Sequence, residues 1–304
     1  MPTPINRRTV LAAAVAAPGL VGLPKLSSDA ATVTTILSSN LETATVASPI
    51  SVADMQTFFG DTTGVGNANN YAFTSVKYAA GRDKLSTKVL SQHLEQGTYG
   101  MPDAGLGGTG IAITGVNLKN APIYEATIEY DVRFVGSGQW PFGGKLPGLG
   151  GVLAGHGTNP PTGGNPSPYG WSGRLMHRRT QANNPSAPGK LVGYVYDPTQ
   201  PAGRYGQDRD TGVQLVWNRW YRVKQSYRMN NIVNEGVEGR PNGIHRIWVD
   251  DALVFENTAQ IFRIWEQAKI THYVHDLFLG GNDPDWAAPA DLDVHIDNLL
   301  ITTP

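Results

Sequence analysis

The chain has 304 residues, 40% hydrophobic and 16% charged, with 36 Gly and 21 Pro; that is enough apolar material for a core and too much turn-forming material for a helical bundle or coiled coil. The 24 Lys and Arg and 25 Asp and Glu leave a formal charge of -1, so no global positive field is available to hold nucleic acid or an anionic membrane. There is no Cys, which excludes disulfides, thiolate metal sites and a cysteine nucleophile.

Residues 1–31 read as an export signal. Arg7 and Arg8 precede an apolar stretch from Val10 to Leu23, and a polar, small-residue run ends at Ala31. The adjacent arginines resemble a twin-arginine signal, so a secreted, bacterial extracellular protein is expected. Pro18, Gly19 and Gly22 interrupt the stretch, which falls short of the ~20 apolar residues that span a bilayer. Residues 32–60 are rich in Thr, Ser and Ala and are expected to form a linker. It ends in a short helix N-capped by Ser51, with Met55, Phe58 and Phe59 on its apolar face.

Residues 61–304 are expected to be a single β domain. Ala126, Ile128, Tyr130, Val132 and Phe134 alternate with Thr127, Glu129, Asp131 and Arg133, the pattern of a half-buried strand. Trp220–Met229 alternates similarly, and His295–Thr302 reads as a closing strand. Ile244–Asp250 and Leu253–Asn257 flank Asp251-Ala252 as a hairpin with a two-residue turn. Long Gly/Pro loops run from Gly155 to Gly170 and from Gln181 to Gly189. Short strands, long loops and almost no amphipathic helix predict an all-β, two-sheet β-jelly roll with a concave groove. Such a groove suits an extended sugar chain.

The densest group of chemically useful residues lies between Phe142 and Tyr196. Lys145 stands in a loop between a Gly pair and Pro147, a setting that limits the conformations it loses on binding. Period-2 alternation sends Ser172 and Arg174 to one face of a strand and Trp171, Gly173 and Leu175 to the other. Tyr194 and Tyr196 share a face. If their strands are neighbours, cations and phenols converge on one patch without a carboxylate. That composition suits β-elimination on a uronate polymer. Cations stabilise the charge that builds on the uronate carboxylate when the α proton leaves, and they favour a phenolate, which lets a Tyr act as base and then as acid.

The motifs Gly143-Gly-Lys-Leu-Pro-Gly-Leu149, Trp171-Ser-Gly-Arg-Leu-Met176 and Tyr194-Val-Tyr196 resemble polysaccharide lyase family 14. Phe278-Leu-Gly-Gly-Asn-Asp-Pro-Asp-Trp286 and Ile296-Asp-Asn-Leu-Leu300 extend the likeness over residues 120–302. The resemblance implies a β-jelly roll that cleaves alginate or glucuronan by β-elimination. It implies that Lys145 and Arg174 neutralise the uronate carboxylate, that Ser172 helps orient it, and that Tyr194 or Tyr196 moves the protons. His156 and Trp171 are expected to contact substrate. No cofactor and no catalytic metal are expected. The partner is an anionic polysaccharide, with no nucleic acid, no membrane after signal removal, and a monomeric enzyme.

Two other readings share this fold. A non-catalytic lectin would use the groove without cleaving, and a glycoside hydrolase would use Glu129 and Asp131 as paired carboxylates. His272 and His275 have metal-ligand spacing only on a helix, and Asp283, Asp285, Asp291 and Asp293 are candidates for a structural Ca²⁺. Gly105–Gly110 is Gly-rich but lacks the Lys and following helix of a phosphate loop.

Overall fold

The computed structural model describes residues 33–39, 76–80, 88–101, 110–136, 138–281 and 283–304. The expected export signal, the helix around Ser51 and the Gly-rich run 105–109 lie outside the described residues.

Strands are numbered in chain order. One eight-stranded antiparallel sheet contains β1 (Thr34–Ser39), β2 (Val76–Ala80), β3 (Lys88–Leu94), β5 (Glu125–Gly136), β10 (Trp220–Arg228), β13 (Gly243–Val249), β14 (Ala252–Gln260) and β16 (Leu292–Thr303). Its order is β14-β13-β10-β5-β16-β3-β2, with β1 also on β16. The second sheet runs β4-β15-β6-β7-β8-β9. These strands are β4 (Gly110–Asn117), β15 (His272–Phe278), β6 (Gly143–Val152), β7 (Gly170–Arg179), β8 (Gly189–Tyr196) and β9 (Gln207–Leu215). A short ribbon, β11 (Ile232–Asn234) and β12 (Glu238–Gly239), and one 3-10 turn, Pro284–Trp286, complete the described elements. The sheets pack face to face as a β-jelly roll.

The core forms where the apolar faces meet. On β5 the residues Ala126, Ile128, Tyr130, Val132 and Phe134 are buried as their alternation predicts. The second sheet contributes Leu146, Leu149, Trp171, Leu175, Leu191 and Val195. Asp131 departs from the pattern: it is buried on the outer face of β5, where Asn298 Nδ2 donates to it and Arg222 lies 3.5 Å away. Glu129 also faces Arg222. The two carboxylates of the hydrolase reading therefore sit on the outside of the first sheet, away from the second, and are held by a cation.

Three expectations about local structure are corrected. The segment expected to be a linker begins with β1, whose β-branched Thr34 and Thr35 pair with Thr303 and Thr302 of β16, with Ile36 at a register shift before Leu37. The β13–β14 turn is Asp250-Asp251, one residue earlier than expected, because Val249 pairs with Ala252. Both aspartates have positive φ, 50° and 66°, as a type I′ turn requires, and Asp tolerates that region better than Ala does. Lys145 lies on a strand rather than in a loop. β6 accommodates Pro147 at a bulge between Leu146 and Gly148, the place in a sheet where a residue without an N–H is tolerated.

Three imidazoles are sealed in this fold. Desolvation pushes His177, His245 and His275 down to about 3, with Lys145 and Arg178 adding to the effect at His177 and Arg209 at His245. The unfolded chain therefore binds more protons below its ordinary His pKa of about 6.5, and stability present above that pH is lost as pH falls toward 3. At pH 5 each histidine costs about 2 kcal/mol, taking 1.36 kcal/mol per pKa unit. Urea unfolding at pH 7 and pH 5 is expected to show a loss of several kcal/mol. His245 stacks on Tyr227 with both ring nitrogens unpartnered, so His245→Phe should remove about 2 kcal/mol of that loss. An unchanged pH dependence in the variant would mean that His245 is not buried as a neutral ring.

Candidate active site

The bulge on β6 determines which side chains face outward. Without it, Lys145 would share a face with Pro147 and Leu149. The extra residue instead puts both Leu146 and Leu149 in the core and leaves Lys145 opposite Met176 on the outer face. β7 and β8 pair in a register that sets Ser172 opposite Tyr196 and Arg174 opposite Tyr194. Lys145, Ser172, Arg174, Tyr194 and Tyr196 thus gather on the outer face of the second sheet.

The contacts within this cluster are close. Lys145 Nζ lies 4.0 Å from the centre of the Tyr194 ring and 3.1 Å from Met176 Sδ. The Arg174 guanidinium lies 5.6 Å and 5.8 Å from the rings of Tyr194 and Tyr196, whose hydroxyls are 3.4 Å apart. Lys145, at 9% exposure, is the most accessible of the five. Two loops cover the phenols: Gly164 N–H donates to Tyr196 Oη at 2.9 Å, and Gly206 N–H donates to Tyr194 Oη at 3.0 Å. The loops meet where the half-exposed Tyr205 packs on Gly164. On the other side, Trp286 packs against Met176 and the Tyr pair. A Cβ at Gly280 would lie 3.0 Å from Lys145 Nζ, so Gly280 borders the space the amine occupies.

Sequence reasoning missed a carboxylate in this patch. Asp276 on β15 is fully buried and forms an ion pair with Arg174. The two reach each other across β6, where Gly148 stands opposite both Val274 and Arg174 and has no side chain to intervene. The available signal was an acid in the otherwise closed run Tyr273-Val-His-Asp-Leu-Phe-Leu279, since a buried charge needs a partner. Arg174 Nε and Nη2 remain buried without a hydrogen-bond partner. Arg178, also missed, lies over Tyr194 and Trp286 and pairs with Asp208 at 2.8 Å.

Burial sets the proton affinities here. Desolvation, reinforced by Arg174 and Arg178, holds the Lys145 amine well below its usual range; Asp276 and Asp208 oppose the shift. Desolvation and Tyr196 raise Tyr194 above the usual phenol range, and they outweigh the opposing pull of Arg174 and Arg178. The cations do favour a phenolate at Tyr194, as expected, but burial outweighs them. Burial also pushes the Asp276 carboxyl up, against Arg174 and Lys145.

The remaining site residues are dispersed. Ser172 is fully buried and donates to Pro161 O at 2.7 Å, so it anchors the 153–169 loop. Trp171 is on the opposite face, fully buried in the core against Tyr227 and Phe262; the alternation that exposes Ser172 to the outer face turns Trp171 inward, and it cannot contact substrate. His156 is exposed at the far end of β6, stacked on Tyr169 at 4.0 Å. The 181–189 loop is tied to Trp140, whose N–H donates to Pro185 O.

His272 and His275 point to opposite faces of β15 and hydrogen-bond Thr271 and Tyr273. Asp293 pairs with His93, Asp291 accepts from Gln96 N–H, and Asp283 caps the 3-10 turn. No group of three or more His, Asp or Glu placed to hold a metal ion occurs among the described residues.

The fold is a β-jelly roll with buried cations and phenols on the outer face of one sheet. The sequence profile described as Polysaccharide lyase 14 matches residues 82–299, and the chain belongs to that family; it is a polysaccharide lyase. The solved structures agree on the fold. The marine PL-14 alginate lyase from Aplysia kurodai aligns with a TM-score of 0.69 at 22% identity, over 89% of this chain and 100% of that one. The alginate lyase Aly36B gives 0.64 at 21%, over 88% and 96%. The alginate lyase vAL-1 from Chlorella virus gives 0.59 at 15%, over 86% and 100%. Aly36B variants have also been solved in complex with an alginate trisaccharide and an alginate tetrasaccharide. No curated protein matches the sequence.

Trp171 provides a check on the two faces of β7. Trp171→Ala is expected to cost about 3–5 kcal/mol in urea unfolding and to leave KM within about twofold for the folded enzyme. A large rise in KM at unchanged stability would return Trp171 to the substrate groove.

Proposed function

We propose that this polysaccharide lyase cleaves a uronate-containing polymer of the alginate or glucuronan class by β-elimination at the Lys145, Arg174, Tyr194 and Tyr196 cluster. The observation that carries the reading is the placement of a desolvated amine, an arginine with unfilled donors and two buried phenols on one face. The alginate complexes of Aly36B support an anionic polysaccharide as the substrate class. The Arg7-Arg8 signal supports export.

The reaction needs a base for the proton α to the carboxylate, charge stabilisation for that carboxylate, and a proton for the leaving oxygen. A buried amine with a depressed pKa is more readily neutral at working pH, so Lys145 is better suited as base than as a neutralising cation. Its lone pair takes the C5 proton, the electrons form the C4–C5 double bond, and the C4–O bond breaks. The leaving oxygen takes a proton from a phenol, a task for which Tyr194, held protonated by burial, is suited. Arg174 offers Nε and Nη2 to the carboxylate, while Asp276 fixes its orientation. The site excludes water, so these interactions act in a low dielectric. Ser172 contributes by holding the covering loop through Pro161.

The lectin reading is separated by one assay, absorbance of the unsaturated uronate at ultraviolet wavelengths. A rise on alginate, polymannuronate, polyguluronate or glucuronan supports elimination; binding to these polymers with neither absorbance nor new reducing ends would support the lectin. Lys145→Ala should lower kcat by about 10²–10⁴. Lys145→Arg separates the two roles of Lys145. As a base replacement it should be as inactive as Lys145→Ala, because a guanidinium does not deprotonate, whereas retained activity would restore the cationic role.

Asp276→Asn removes an anion that raises the Lys145 pKa and leaves Arg174 and Arg178 unopposed by it. The acidic limb of the kcat/KM profile is therefore expected to move to lower pH, with kcat falling at least about tenfold as Arg174 loses its anchor. An unmoved limb would mean that Lys145 is not the group titrating there.

A further inference from the structure

The cluster holds two arginines of different accessibility. Arg174 is almost wholly buried against Asp276, whereas the Arg178 side chain is 19% exposed. Both lie on β7, and their even spacing puts them on the same outer face. The Arg178 guanidinium is 6.0 Å from the centre of the Tyr194 ring and 5.4 Å from that of Trp286. Two aromatic rings thus limit where it can turn.

Its charge is met by Asp208 of β9, the last strand of the second sheet. Nη2 donates to Oδ1 at 3.0 Å, and Nε lies 2.8 Å from Oδ2. This is the two-pronged geometry in which an arginine takes a carboxylate, and a uronate carboxylate has the same shape and charge. Asp208 is the more exposed partner, at 42%. The arrangement recurs beside it. Lys190 of β8 stands directly opposite Arg178, and its amine lies 3.5 Å from the still more exposed Asp210 of β9. Like charges directly opposite one another destabilise a strand pair, so the two cations need anions close by. The aspartates that supply them are held weakly, because ion pairs this exposed contribute little. A polyanion can displace them.

Arg174 and Arg178 flank Tyr194 differently, Arg174 beside Tyr196 and Arg178 beside Trp286. In the proposed elimination Arg174 takes the carboxylate of the unit being cleaved, so a carboxylate that reaches Arg178 belongs to another unit of the chain.

We infer that Arg178 is a specificity-determining residue that binds the carboxylate of a uronate unit neighbouring the one cleaved, and that Asp208 occupies this position until substrate exchanges with it. The assignment to a neighbouring unit rests on the proposed elimination, the exchange does not, and the two are tested separately. If Asp208 served only to neutralise Arg178, removing it would weaken the site or leave it as it is. Exchange predicts the opposite sign.

Binding is read by calorimetry with tetrasaccharides of mannuronate, guluronate and glucuronate, in the Lys145→Ala background so that no turnover intervenes. At least one should bind. Adding Asp208→Asn should tighten that binding about two- to fivefold, and adding Arg178→Gln should weaken it about tenfold. With Arg178→Gln already present, Asp208→Asn should no longer tighten it. Arg178→Lys, which keeps the charge but not the fork, should fall between wild type and Arg178→Gln and covers the case in which the glutamine variant does not fold. No binding of any tetrasaccharide, or binding that Asp208→Asn fails to tighten, overturns the inference.

Turnover is read by ultraviolet absorbance on alginate or glucuronan, whichever is cleaved, and on the same polymer with most carboxyl groups reduced to alcohols, so that the remaining uronates are isolated. The ratio of wild-type to Arg178→Gln kcat/KM should be about tenfold on the intact polymer, carried by KM, and about one on the reduced polymer. An equal ratio on both would place Arg178 against the cleaved unit itself and overturn the inference. Binding that follows the expected exchange, with no absorbance on any polymer, would sink the proposed elimination and leave the exchange at Arg178 standing.

Discussion

The ion pair between Arg174 and Asp276 is the constraint around which the outer face of the second sheet is organised. Both side chains are almost wholly buried, and a buried charge is tolerated only when paired and hydrogen-bonded. Meeting that condition brings β15 and β7 within reach across β6, where Gly148 stands opposite both strands and a Cβ would run into the backbone of Gly173. It also requires cover from water. The 153–169 loop supplies part of that cover through Ser172 and Tyr196, and the loop before β9 supplies more through Gly206 and Tyr194.

That burial also sets the proton affinities of the cluster. In water a lysine is a cation and a tyrosine is neutral, and the two hold their protons about equally tightly, with pKa values of about 10.4 and about 10. Desolvation disfavours the charged form of each, so the amine moves toward neutrality and the phenol toward permanent protonation. The pair of arginines strengthens the first shift and weakens the second, and at Tyr194 burial prevails. In the proposed elimination, charge stabilisation then falls to Arg174, whose Nε and Nη2 have no hydrogen-bond partner.

Much of the architecture was legible in sequence because strand alternation is a local property. The faces of β5 and β10, the separation of Ser172 and Arg174 from Trp171, and the shared face of Tyr194 and Tyr196 all follow from period 2. Where the reading failed, the determining partner was distant. Lys145 reads as a loop residue because Gly and Pro surround it, yet β7 and β15 supply the hydrogen bonds that make the segment a bulged strand. β1 is too rich in Thr and Ser to signal burial and is a strand because β16 offers an edge. Asp276 is 102 residues from Arg174, and nothing between them in the sequence pairs the two.

By itself the sequence determined the all-β class, the two faces of each regular strand and the residue types available for chemistry, because each depends on side-chain identity and a two-residue repeat. The tertiary structure alone decided which of those residues meet, how deeply they are desolvated and therefore which gains and which loses a proton. Those properties depend on strand register and on loops packed over the sheet, and they arise only when residues far apart in the chain exclude water from one another.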